Sequence, residues 1–135
     1  MLSEGQIRML PVNVRLKLAR SAPRSLRQFL VRDSSTLVAL AVLQSNPLTD
    51  QEVEQYARSR NIVPDVLEKI GKNRQWVARY PVVLALVQNP RTPLPLALSL
   101  MSRVAVRDLR GMAKDRNLPE AVRSSALRLF RVKSQ

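Results

Sequence analysis

The stretch Val38-Ala39-Leu40-Ala41-Val42-Leu43-Gln44-Ser45-Asn46-Pro47-Leu48-Thr49 has a counterpart further along the chain, Val82-Val83-Leu84-Ala85-Leu86-Val87-Gln88-Asn89-Pro90-Arg91-Thr92. In both, an apolar run leads into Gln, Asn and Pro, and a Thr follows. Asn tolerates the left-handed conformation in which many helices end, and the Pro behind it cannot continue a helix. Thr is a good cap for the next helix. Thr49-Asp50-Gln51-Glu52 has the form of a capping box, as does Ser3-Glu4-Gly5-Gln6, and Thr92-Pro93 places Pro where a helix starts. Each copy therefore reads as a helix, its stop and the start of the next.

A second word extends the likeness. Ala57-Arg58-Ser59-Arg60-Asn61-Ile62 parallels Ala113-Lys114-Asp115-Arg116-Asn117-Leu118, each with a Pro close behind. Segments 38–62 and 82–118 thus look like two copies of one unit, the second longer by about one short helix. Pro23, Pro47, Pro64, Pro90 and Pro119 punctuate a chain that holds nine Pro and only three Gly. The punctuation predicts helices over 4–9, 11–20, 24–32, 35–45, 50–60, 64–71, 74–80, 82–88, 93–102, 105–114 and 119–131. Val12 to Leu18 alternates like a strand, but a lone strand would have no partner, so helix is expected there too. The expected core comprises Leu16, Leu26, Phe29, Leu40, Val42, Val53, Leu67, Ile70, Trp76, Leu84, Leu86, Leu98, Leu109, Leu127 and Phe130.

Over residues 12–130 these words resemble the leucine-rich-variant repeats and related HEAT-like helical repeats of bacterial proteins. The resemblance implies an all-α fold, a short right-handed α-solenoid. It would form one domain over 1–135, with a degenerate N-terminal unit at 1–33 and repeat units at about 34–72 and 73–131. Proteins of this kind present extended surfaces, and binding is their usual use. Some leucine-rich-variant proteins carry an iron–sulfur cluster on Cys residues, and this chain has no Cys, so that property does not carry over.

Composition narrows the function classes. The chain has 135 residues, 23 Lys plus Arg, 10 Asp plus Glu, no His and no Cys, for a net charge of +13. One domain is the expectation at this length. Disulfides and thiolate metal sites are excluded, and the commonest general base and metal ligand is missing. No phosphate loop, nucleophile elbow or metal spacing occurs, so no enzyme, cofactor or metal is expected. The apolar runs Leu37–Leu43 and Val82–Val87 are far shorter than the roughly 20 residues of a membrane span, which points to a soluble cytoplasmic protein.

The charge is unevenly distributed. Residues 1–32 sum to +6, residues 33–55 to −4, residues 56–90 to +4 and residues 91–135 to +7, leaving an acidic island between basic segments. Arg103, Arg107, Arg110 and Lys114 recur at helical spacing, opposite Val106, Leu109, Met112 and Ala113. The last helix adds Arg123, Arg128, Arg131 and Lys133. Packed side by side, the two basic rows would form a patch suited to a phosphate backbone. An ordinary solvated face is the plainer alternative. Trp76 and Tyr80, flanked by Arg74 and Arg79, are a possible base-stacking platform, against the alternative that they pack between repeats. An N-terminal set (Arg8, Arg15, Lys17, Arg20, Arg24, Arg27, Arg32) could lie on an anionic membrane, but Phe29 is its only aromatic anchor and Pro11 and Pro23 interrupt it. The expected function is a non-enzymatic module that contacts nucleic acid or another polyanion. The alternative is a protein–protein adaptor that docks an acidic partner.

Overall fold

A computed structural model describes residues 2–135 of the chain. Among them are eleven α-helices and no strand: α1 (Glu4–Arg8), α2 (Val12–Ala19), α3 (Arg24–Leu30), α4 (Thr36–Ser45), α5 (Asp50–Arg58), α6 (Pro64–Gly71), α7 (Arg74–Val77), α8 (Tyr80–Val87), α9 (Leu94–Leu100), α10 (Val106–Met112) and α11 (Glu120–Lys133). A 3-10 turn, Met101–Arg103, follows α9 directly. The alternating segment is helical, as α2.

The helices stack on their next-but-one neighbours at the start: α2 packs on α4, α4 on α6 and α6 on α8. Between these contacts lie the sequential pairs α3–α4, α5–α6 and α7–α8, and α5 also packs on α8. Beyond α8 the order is α8–α9, α9–α11 and the closely packed pair α10–α11. The two apolar runs become α4 and α8. Val38, Ala39, Ala41, Val42 and Leu43 are buried in one, Val82, Val83, Ala85, Leu86 and Val87 in the other. A helix that is apolar nearly all round belongs in the interior. Each buried Val or Leu contributes about 1.5–3 kcal/mol by leaving water. Phe29, Val53, Leu67, Ile70 and Leu109 are also buried, as expected. Leu16, Leu26, Leu40, Trp76, Leu84 and Phe130 are half-buried against the core. Leu98 and Leu127 are not core residues. Both are 39% exposed, because the outer sides of α9 and α11 have no neighbouring helix to cover them.

The asparagines work differently from the expectation. No described non-glycine residue has a positive φ, and Asn46 is extended at φ −124°, ψ 144°. Each Asn acts instead through its side chain. Asn46 Nδ2 donates to the carbonyls of Val42 (3.0 Å) and Ala19 (2.7 Å), and its Oδ1 accepts from the Ala22 amide (3.1 Å). Asn89 Nδ2 donates to Ala57 and Ser59 (both 2.8 Å), and its Oδ1 accepts from Arg91 (2.9 Å). In both copies the Asn fastens the end of its helix to the end of an earlier helix, α2 or α5, and satisfies carbonyls that a helix C-terminus leaves unpaired. Thr49 and Ser3 form the expected capping boxes, with Glu52 and Gln6. Thr92 does not cap α9. It is buried, and its hydroxyl donates to the Leu86 carbonyl at 2.7 Å.

Candidate functional site

The candidate basic residues lie on and around the packed helices α10 and α11. A tight staple sets the start of α10: the Ala105 amide donates to the Tyr80 hydroxyl (2.8 Å), which donates in turn to Asp108 Oδ2 (2.6 Å). Burial, and next the bond to Asp108, push the Tyr80 phenol pKa up. Tyr80 thus joins α8 to α10, and its polar end is committed to that joint. Leu109 and Met112 are buried beneath α10, while Arg107, Arg110 and Lys114 are exposed. Asp115 Oδ1 accepts from the Asn117 amide (2.9 Å), which shapes the turn that carries buried Leu118 toward α11.

On α11, Val122, Ser125 and Ala126 are buried and Arg128 and Arg131 are exposed. Arg123 is half-buried on the flank. Arg103 departs from the α10 row. Val104 and Ala105 are extended, so the helical register breaks before α10 begins, and the Arg103 guanidinium donates to the Val77 carbonyl. Lys133 is likewise engaged, with Nζ donating to the carbonyls of Ser102 (2.6 Å) and Val104 (3.1 Å).

Residues 91–135 hold ten cations and three acids. Among the described residues only Arg107 there is paired with a carboxylate, at 3.9 Å from Asp108 and 79% exposed. An ion pair that open adds little, so the guanidinium stays available. Asp108 and Asp115 are engaged in the staple and the turn, and Glu120 lies in the first turn of α11.

The acidic island has a different fate. Asp33 is fully buried and takes a two-point contact from Arg15 (3.0 and 3.3 Å), with Arg8 at 3.4 Å; Arg8 also lies over the Phe29 ring at 4.3 Å. Glu52, also fully buried, accepts from Arg27 Nε (2.9 Å) and Nη2 (2.6 Å) and from the Tyr56 hydroxyl (3.0 Å). Such fork-on-carboxylate contacts are the strong form of the ion pair. The Arg27 contact holds the Glu52 carboxyl below the usual range and the Arg27 guanidinium above its own, while burial pushes Tyr56 up. Arg79 reaches Glu54 at 2.6 Å and Asp50 at 3.7 Å. Three of the island's four carboxylates, Asp33, Glu52 and Glu54, are thus held by arginines from the flanking segments, and Asp50 stays exposed. Those pairings span 18–29 positions, beyond what local spacing reveals. They also remove Arg15 and Arg27 from any amphipathic N-terminal face.

Trp76 stays half-buried and lines a cavity with Lys69 and Lys72. Among the described residues no helix is long and apolar enough to cross a membrane, and no group of three or more acidic, His or Cys side chains is placed to hold a metal. Comparison of the chain with family models, with curated protein sequences and with solved structures returned no match.

Proposed function

We propose that this chain is a non-enzymatic binding module that contacts nucleic acid, or another polyanion, through the basic face of α10 and α11. Arg107, Arg110, Lys114, Arg128 and Arg131 neutralise phosphates there; Arg123 contributes from the flank, and Arg103 positions rather than binds. The carrying observation is the imbalance. The other end of the chain holds Asp33 and Glu52 in buried pairs and leaves Lys17, Arg20, Arg24 and Arg32 exposed, whereas the last 45 residues gather ten cations against three acids, with Arg107, Arg110, Lys114, Arg128 and Arg131 exposed on or beside the packed pair α10–α11. Such a surface lowers its own repulsion by meeting a polyanion. Contacts of this kind position a backbone and read little sequence.

The scaffold in this reading is a short right-handed α-solenoid of HEAT-like or leucine-rich-variant type. It is supported by the next-but-one stacking of α2, α4, α6 and α8 and by the shared task of Asn46 and Asn89. A cytoplasmic setting suits it. Affinity for DNA and RNA across a salt series tests the function: log affinity falls steeply with log salt, by about 0.7–0.9 per phosphate neutralised. Absence of binding at low salt, or a flat slope, contradicts it. The second reading, a protein adaptor that docks an acidic partner, is favoured by uncovered Leu94, Leu98, Leu127 and Val132 on α9 and α11. A stoichiometric protein partner that survives nuclease treatment would select that reading.

A further inference from the structure

The cavity between α4, α6 and α7 has no part in the basic face. It measures ≈ 340 Å³ and is lined by Leu43, Gln44, Lys69, Lys72, Asn73 and Trp76. Small-ligand sites begin at roughly 300 Å³. Leu43 and the half-buried Trp76 indole supply an apolar, planar wall. Lys69 and Lys72 supply two ammonium groups. Asn73 Oδ1 already accepts from the Trp76 amide at 3.1 Å, which leaves its Nδ2 as a donor beside the Gln44 amide. Among the described residues no carboxylate lines this cavity. Glu68 pairs with Lys72 at 3.0 Å; with Asp65 it lines an adjoining groove that shares Gln44, Lys69 and Lys72 with this cavity.

A planar apolar face, amide groups and two cations are the set that receives an aromatic ring carrying a phosphate. The ring stacks on the indole, its edge meets the amides and the phosphate meets the lysines. Cations alone, as on α10 and α11, do not distinguish one strand from two; a stacking wall does, because only an unpaired base can reach it.

We propose that this cavity takes one unpaired nucleotide, so that the polyanion held by the chain is single-stranded nucleic acid; this rests on reading the α10–α11 face as a nucleic-acid contact. Trp76 is the only Trp in the sequence, so intrinsic fluorescence reports on this cavity alone. The full chain is titrated with AMP, with a mixed-sequence single-stranded oligonucleotide and with the same sequence as a duplex. AMP and the single strand are expected to quench Trp76 and the duplex is not. Lys69→Ala with Lys72→Ala, both exposed positions, raises the single-strand concentration needed for quenching about tenfold with unfolding unchanged. Equal quenching by duplex, no quenching by AMP and single strand, or quenching untouched by the lysine changes overturns the proposal. The variant Arg107→Gln, Arg110→Gln, Arg128→Gln, Arg131→Gln separates the two readings. AMP quenching persists in it if the cavity is the site. Oligonucleotide binding by anisotropy that is unchanged in it overturns the face, and the AMP result still decides the cavity.

Discussion

Arg27 and Arg128 are the same residue type on helices of one chain. Arg27 donates through Nε and Nη2 to Glu52, a carboxylate with no solvent exposure, and through Nη1 to the Ala22 carbonyl at 2.9 Å. Arg128 stands exposed on α11 and forms no ion pair with a described carboxylate. The first holds α3 against α5; the second makes no side-chain hydrogen bond or ion pair among the described residues. Composition counts them alike, so net charge by itself cannot say which arginines are free to bind. The difference lies in whether a carboxylate arrives from a helix one unit away.

That contrast is broken most severely at the buried pair. Arg27→Ala or Glu52→Ala leaves the partner charge buried and alone, which costs about 3–5 kcal/mol in urea unfolding. Removing both with apolar residues of similar volume recovers most of that deficit. Arg128→Ala and Arg131→Ala, by comparison, shift stability by less than about 0.5 kcal/mol.

The pH dependence has a definite sign. The Glu52 carboxyl titrates lower in the fold than in the unfolded chain, so its contribution is present above the ordinary glutamate value of about 4.3 and is lost as pH falls through the folded value. Acid unfolding of Glu52→Gln is correspondingly shallower than that of the parent chain. Tyr56 acts at the other end. Its phenol is raised, so the stability it contributes is present below about pH 10 and lost as pH climbs above it. Tyr56→Phe flattens the alkaline limb.

Two glycines give smaller effects of opposite sign. A Cβ on Gly71 would meet Leu96 Cδ2 at 2.5 Å and Cδ1 at 2.8 Å, where the end of α6 approaches α9. Gly71→Ala therefore forces buried Leu96 to shift and costs about 1–3 kcal/mol. Gly111, exposed on α10, has nothing within 4 Å of its Cβ position. Gly111→Ala stabilises by roughly 0.5–1 kcal/mol through helix propensity, and it stiffens the helix that presents Arg107 and Arg110. Thermal or urea unfolding of the two variants checks both signs.

Much of the helical order was legible in the sequence because its signals are local. Capping boxes, helix-ending prolines and apolar runs act within a few residues, and α4, α5, α8 and α10 lie where those signals put them. The reach of Asn46 and Asn89 was not legible, since their partners sit 24–32 positions back, at and just beyond the ends of α2 and α5. For the same reason residues 33–55 looked like an acidic island, although Asp33, Glu52 and Glu54 meet their arginines only after folding. Arg103 seemed to belong with Arg107 because spacing assumes one continuous helix; two extended residues, Val104 and Ala105, end that assumption. The exposure of Arg107 and Arg110 on α10 and of Arg128 and Arg131 on α11 was readable because it depends only on helical period and on buried Leu109, Met112, Val122 and Ala126.

In the proposed function the position of the free cations, not the total charge, makes the binding surface. Two variants of equal charge test it. One carries Gln at Arg107, Arg110, Arg128 and Arg131. The other carries Gln at Lys17, Arg20, Arg24 and Arg32, which are exposed and form no ion pair with a described carboxylate. The measurement is the salt dependence of oligonucleotide affinity. The first variant is expected to flatten the log–log slope by roughly 3, at about 0.7 for each single-strand phosphate no longer neutralised, while the second keeps the parent slope. An equal flattening in both variants would contradict it.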